Sequence, residues 1–198
     1  MRRFTFTTKD GREGVVRPAR PRDARACLAI VWEATQERPR TLMTSPDEFW
    51  SARAWRKHRR DWDADGVTLV AEVDGKVVAN LGSERGRRSR ERHLAEFGVT
   101  VGRAYRGIGV GRALLEALEV WAHEAGVEKI VLRVFESNAR ARSLYERFGY
   151  VSEGVERRAV KFPDEYIDAV RMGKFLAGPA TADAAATEGD ARGRQQLS

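Results

Sequence analysis

The 198-residue sequence predicts a single α/β domain built on a mixed sheet. Two stretches carry that prediction. From Glu96 to Ala125 the chain reads as strand, glycine-rich loop and amphipathic helix, and Lys129 to Phe135 returns as an apolar strand. That order is the right-handed crossover that joins parallel strands. Before it, the apolar runs Val67 to Val73 and Lys76 to Ser83 flank Asp74-Gly75, a tight-hairpin signal that implies antiparallel pairing as well. A hydrophobic content of 42% over this length suits one sizeable core.

In chain order, residues 1–14 read as a polar lead-in, 15–176 as the folded domain, and 177–198 as a disordered tail of alanine, glycine and small polar residues. Val15 to Arg17 starts a short strand that Pro18 ends. Arg22 to Thr35 reads as a helix, because Cys27, Ile30, Val31 and Ala34 share one face. Pro39 breaks it. Ser45-Pro46-Asp47-Glu48 then caps a second helix reaching about Trp62, whose ragged pattern sets Phe49, Trp50, Trp55 and Trp62 among arginines. The segment Glu84 to Arg92 reads as a basic loop at a rim, its arginines solvated. Beyond the crossover, Ser137-Asn138 opens a helix from Ala139 to Phe148 that stops at Gly149. Tyr150 to Val155 and Tyr166 to Phe175 read as closing strands, with Pro163-Asp164 at their turn.

The crossover holds the chemistry. Phe97, Val99 and Val101 alternate with Gly98 and Thr100 as a short, largely buried strand, while Val110, Ala113, Leu114, Ala117, Leu118 and Trp121 make one helix face. Between them lies Arg106-Gly107-Ile108-Gly109-Val110-Gly111. Glycines at alternate positions permit backbone conformations that a Cβ would block, so successive N–H groups can converge at a helix start and bind phosphate oxygens. Arg103, Arg106 and Arg112 add positive charge. A P-loop would need Lys-Ser or Lys-Thr after its last glycine, and Arg112-Ala113 stands there instead. A dinucleotide fingerprint would need glycine or alanine where Arg112 stands.

Composition excludes other classes. The single cysteine, Cys27, rules out an intramolecular disulfide and any multi-cysteine metal site, and His58, His93 and His123 lack ligand spacing, so no metal is expected. No apolar run approaches membrane-spanning length, and a reducing, cytoplasmic setting is expected. The formal charge of +7 comes mainly from arginines spread through the chain without a nucleic-acid motif, which argues against nucleic acid as a partner.

The loop Arg-x-x-Gly-x-Gly, together with Asn138-Ala-Arg-Ala-Arg-Ser-Leu-Tyr145-Glu-Arg-Phe-Gly-Tyr150, resembles the GCN5-related N-acetyltransferase (GNAT) family over roughly residues 14 to 176. The resemblance implies the acyl-CoA N-acyltransferase fold, a splayed, twisted sheet with helices on both faces and a bulge in the strand before the loop. It implies acetyl-CoA as cosubstrate, held by Val99, Val101, Arg106, Gly107, Ile108, Gly109, Val110, Gly111, Arg112 and Asn138. It places Tyr145 at the sulfur as general acid and Glu96 as the base that deprotonates the amine, with His93 a weaker candidate. Each has a plainer reading: Asn138 as a helix N-cap, Tyr145 as a core tyrosine, Glu96 as a rim carboxylate. A partly buried Glu96 would have its pKa raised by desolvation. The closing segment from Asp164 to Met172 looks like that of bacterial members acting on amino acids or other small amines, with Tyr166 and Asp168 near the acceptor. The expected function is therefore acetylation of a primary amine on a small molecule. A protein N-terminus or lysine is the alternative acceptor, and a non-catalytic acetyl-CoA sensor is the alternative of another class. Dimers are common in the resembled family, so a homodimer is an expected arrangement.

Overall fold

A computed structural model describes residues 3–44, 51–53, 55 and 65–176. Among these residues, eight strands form one sheet in the order β1-β2-β3-β4-β5-β6-β8-β7. These are β1 (Phe4–Thr7), β2 (Glu13–Pro18), β3 (Gly66–Val73), β4 (Lys76–Arg85), β5 (Leu94–Val101), β6 (Lys129–Phe135), β7 (Val151–Lys161) and β8 (Tyr166–Phe175). Among the described residues the long helices are α1 (Ala24–Thr35), α2 (Val110–Glu124) and α3 (Ala139–Arg147). Every neighbouring pair is antiparallel except β5 with β6, which α2 joins as the crossover.

Residues 1–14, read as a lead-in, hold a strand. In β1, Phe4 and Phe6 alternate with Thr5 and Thr7, and both rings pack against the main core. The turn of the β3–β4 hairpin falls at Asp74-Gly75, both with positive φ (51° and 73°), the geometry that matches strand twist in a two-residue turn.

The two faces of β3 explain the layering. Val67, Leu69, Ala71 and Val73 join the cluster that includes Leu114, Leu115 and Leu118 of α2, whereas Val70 packs with Cys27 of α1 and Ala19. The sheet thus carries α2 on one face and α1 on the other. Helix α2 buries Val110, Ala113, Leu114, Leu115, Ala117, Leu118 and Ala122, while Trp121 is only half-buried, so the apolar stripe is wider than its sequence template. Each buried leucine contributes about 1.5–3 kcal/mol, and Leu114→Ala would cost about 2–5 kcal/mol. Burial pushes the Cys27 thiol up to about 12, consistent with a small core residue.

Strands β5 and β6 pair only where Leu94, Ala95 and Glu96 meet Lys129, Ile130 and Val131. Beyond Glu96, β5 continues against β4 and β6 continues against β8, so the two diverge. The expected bulge in β5 is absent: its register with β4 runs unbroken from Val101 to Ala95. The splay comes instead from the loss of one neighbour. Register shifts lie in β3–β4 between Ala71 and Glu72, and in β7–β8. Strand β7 is longer than the sequence suggests because the chain resumes pairing after its second shift, where Arg158 takes φ 51° and its N–H donates to Asp168 Oδ1 at 2.6 Å.

The second predicted helix lies mostly outside the described residues, as do Phe49, Trp50, Trp62 and the tail 177–198; Trp55 packs beside Cys27 and Val70. No helix among the described residues is long and apolar enough to cross a membrane.

Candidate active site

The divergence of β5 from β6 opens a cleft of about 1020 Å³. One wall is β5 from Glu96 to Val101, the other is Val134 and Phe135 of β6, and the glycine loop and α3 close the sides. The cleft is therefore a consequence of topology: a strand that leaves its parallel neighbour must expose a gap between them.

At one end sits the loop. Gly107 and Gly109 take φ of 84° and 104°, so the chain turns through the left-handed region just before α2 begins at Val110. From Gly107 to Arg112 no backbone N–H meets a protein acceptor among the described residues; the next, Ala113, bonds Gly109 O at 3.0 Å. A row of free amides at the positive end of a 15-residue helix suits a diphosphate. Gly107, Gly109, Gly111 and Arg112 line the cleft, whereas Val110 is a core side chain and Ile108 packs against the core, leaving only their backbone to serve the site.

The arginines divide. Arg106 does not offer its side chain to the loop: its Nε donates to Val101 O at 2.8 Å, and its other nitrogens pair with Glu37 of the α1 end, each at 2.8 Å. It is a strut between β5 and α1. Arg103 is exposed, and Arg112 pairs with Glu116 one turn on at 2.8 Å.

Asn138 and Tyr145 come from α3. The Asn138 side-chain oxygen accepts from Ala141 N at 3.2 Å, capping the helix, and the residue lines the cleft. Tyr145 is buried on the same helix with its ring edge-on to Phe97 at 5.9 Å and Tyr150 at 6.0 Å. Burial pushes its hydroxyl up to about 12, so it stays protonated throughout the neutral range.

Glu96 lines the cleft near the point where β5 and β6 part, and it is exposed, as a carboxylate at the rim would be. It stands directly opposite Glu84 of β4, which also lines the cleft and pairs with Arg87 at 2.8 Å. His93 is exposed and lies off the cleft; its carbonyl accepts from Glu128 and Lys129. Val99 and Val101 are half-buried wall residues.

The sequence singled out no residue of the segment after α1 as part of the cleft. Thr41, Leu42, Met43 and Thr44 line the cleft, and buried Arg40 fixes them by pairing with Asp164 at 2.6 Å and lying over Phe162 at 4.1 Å. The turn of the β7–β8 hairpin thus holds Arg40, the residue before the cleft-lining segment, while Tyr166 and Asp168 stay away from the cleft. The apolar pair Leu42-Met43 beyond Pro39 was the available signal. The basic loop is largely self-satisfied: Arg85 donates to Arg92 O and Ala125 O, Arg88 pairs with Glu91, and Arg92 with Asp65. Among the described residues no group of three or more His, Cys, Asp or Glu side chains is placed to hold a metal ion.

Comparison with known proteins places this geometry. A family model described as "Acetyltransferase (GNAT) family" matches residues 29–150. An L-amino acid N-acetyltransferase from Escherichia coli (strain K12) is 35% identical over 114 residues, 57% of this chain and 70% of that protein. A ribosomal-protein-alanine N-acetyltransferase from Brucella melitensis superposes with a TM-score of 0.72 at 27% identity, over 81% of this chain and 99% of its own. A phosphinothricin acetyltransferase from Sinorhizobium meliloti, solved in complex with acetyl-CoA, has a TM-score of 0.76 at 20% identity, over 85% and 91% of the two chains, and that likeness shows the fold.

Proposed function

The chain belongs to the GNAT acetyltransferase family and is an acyltransferase, and from that premise we propose that it transfers the acetyl group of acetyl-CoA to the primary amine of an amino acid or similar small amine. The observation that carries this reading is the cleft itself. One cavity brings together free amides for a diphosphate, a capping asparagine with a spare amide, a protonated tyrosine and an exposed carboxylate.

Acetyl-CoA supplies an activated thioester. The chain's residues supply position and protons. Amides from Gly107 to Arg112 hold the diphosphate, and the Asn138 amide orients the arm between β5 and β6. Glu96 takes a proton from the ammonium, since only a neutral amine attacks a carbonyl. Tyr145 donates a hydrogen bond to the departing sulfur. Its hydroxyl is pushed up to about 12, while an ordinary thiol titrates near about 8.5. Full proton transfer is therefore uphill, and stabilisation of the thiolate by hydrogen bonding is the larger part of its role.

The small-amine reading is favoured over a peptide acceptor by the 35%-identical amino-acid N-acetyltransferase and by Thr41 to Thr44, which line the cleft next to the anchored Arg40. Incubation with acetyl-CoA and a panel of amino acids, polyamines, aminoglycosides and N-terminal peptides, read by product mass, tests it. Acetylated amino acid or small amine supports the reading; acetylation confined to peptides would transfer the activity to protein N-termini.

A further inference from the structure

The turn between β1 and β2 is built against the glycine loop. Lys9 N donates to Ile108 O at 2.9 Å. Thr8, buried, donates to Asp10 Oδ1 at 2.5 Å and accepts from Arg12 N at 2.8 Å, and Arg12 lies over the Tyr105 ring at 5.2 Å. Phe6 covers Gly14 so closely that a Cβ there would come within 2.4 Å of its ring. An exposed hairpin fixed this firmly has its side chains placed. Arg12 spends its charge on Asp10 and Asp74, whereas Lys9, which lines the cleft, meets no carboxylate among the described residues.

A second cation reaches the loop from α3. Arg140 also lines the cleft, and its Nη2 would stand 3.0 Å from a Cβ on Gly107. It occupies the first turn of α3, where no acidic residue balances it and the helix dipole disfavours a cation. Among the described residues it too has no ion-pair partner, so its position costs helix stability without a local return.

The free amides of the loop answer a diphosphate and leave these two charges unmatched. Resting on the acetyl-CoA reading above, we propose that Lys9 and Arg140 form the subsite for the 3′-phosphate of coenzyme A, making the N-terminal hairpin a wall of the cofactor site. A phosphate monoester carries about −1.5 to −2 near neutral pH, which two cations match.

Calorimetric titration with coenzyme A and with dephospho-coenzyme A tests this without turnover. Wild type should bind coenzyme A about tenfold more tightly than the dephospho form, on the scale of two exposed charge-assisted contacts. Lys9→Ala and Arg140→Ala should each weaken coenzyme A binding severalfold, and the double variant should lose about the same tenfold. Dephospho-coenzyme A affinity should not change, which also reports that the variants are folded. Lys9→Arg with Arg140→Lys should restore most of the discrimination. Equal affinity of wild type for both ligands would overturn the proposal, as would a double variant that loses both ligands by the same factor, which would assign the cations to the diphosphate. Wild type that binds neither ligand would overturn the acetyl-CoA reading and this subsite with it.

Discussion

Replacing Tyr145 with Phe separates chemistry from packing. The ring keeps its edge-on contacts with Phe97 and Tyr150, near 6 Å each, so the aromatic cluster under α3 survives. The hydroxyl donates to no protein acceptor among the described residues, and its loss should change stability by less than about 1 kcal/mol. Truncation to Ala would instead cost about 3–5 kcal/mol. If the hydroxyl stabilises the departing sulfur, kcat should fall by a factor on the order of 10². Acetyl-CoA affinity and Tm should barely move. The hydroxyl also leaves a mark on stability. Its folded pKa, about 12, exceeds the ordinary 10.0, so the folded chain holds the proton longer than the unfolded one and stability falls as pH rises from about 10 toward 12. Tyr145→Phe should flatten that alkaline decline. Thermal melts from pH 8 upward and steady-state kinetics at neutral pH measure both effects. A Tyr145→Phe enzyme with wild-type kcat would remove the residue from the mechanism and leave it a core aromatic.

Glu96→Gln should lower kcat/KM in proportion to the fraction of amine that arrives protonated, so activity recovers with rising pH, while coenzyme A affinity, read by calorimetry, stays intact. Gly109→Val forces a β-branched residue to φ 104° and puts its side chain into the open cleft; coenzyme A affinity should drop more than tenfold with about 1–2 kcal/mol of stability. Asn138→Ala should both weaken coenzyme A binding and cost about 1 kcal/mol through the lost cap. Arg17 is buried between Asp23, at 2.7 Å, and Glu72. Arg17→Met should cost about 3–5 kcal/mol in urea unfolding by stranding the buried carboxylate. Burial works to raise the Asp23 pKa, but Arg17 and the Arg20 N–H outweigh it and hold it below the ordinary range. The stability Asp23 contributes is therefore lost as pH falls through that lowered value, and the variant should lose this acid-side dependence.

The crossover was the most legible part of the chain because two periodicities met there. Alternation in Phe97, Val99 and Val101 and the helical spacing from Val110 to Leu118 fix local structure without help from distant residues, and β6 and β8 fall where their apolar runs predict. What the sequence hid were pairings between distant residues. Strand β1 has only the alternation Phe-Thr-Phe-Thr to announce it, and its partner, β2, is what makes it a strand. Arg106 looks like a phosphate ligand from its place in the loop, yet Glu37, far back in the chain, claims its guanidinium. Whether Glu96 would be partly buried or a rim carboxylate was not legible in the sequence; the splay that makes the cleft opens it to solvent. The cleft lining at Thr41 to Thr44 depends on Arg40 finding Asp164, a contact no local pattern encodes.

In the proposed function the gap between β5 and β6 binds acetyl-CoA and delivers its acetyl group to an amine. Release of free thiol from acetyl-CoA, followed with and without an amino-acid acceptor in wild type and in Gly109→Val, tests it most directly. Release should depend on the amine, saturate with acetyl-CoA and disappear in the variant. Tight acetyl-CoA binding with no amine-dependent release across the panel would contradict it and make the cleft a binding site without turnover.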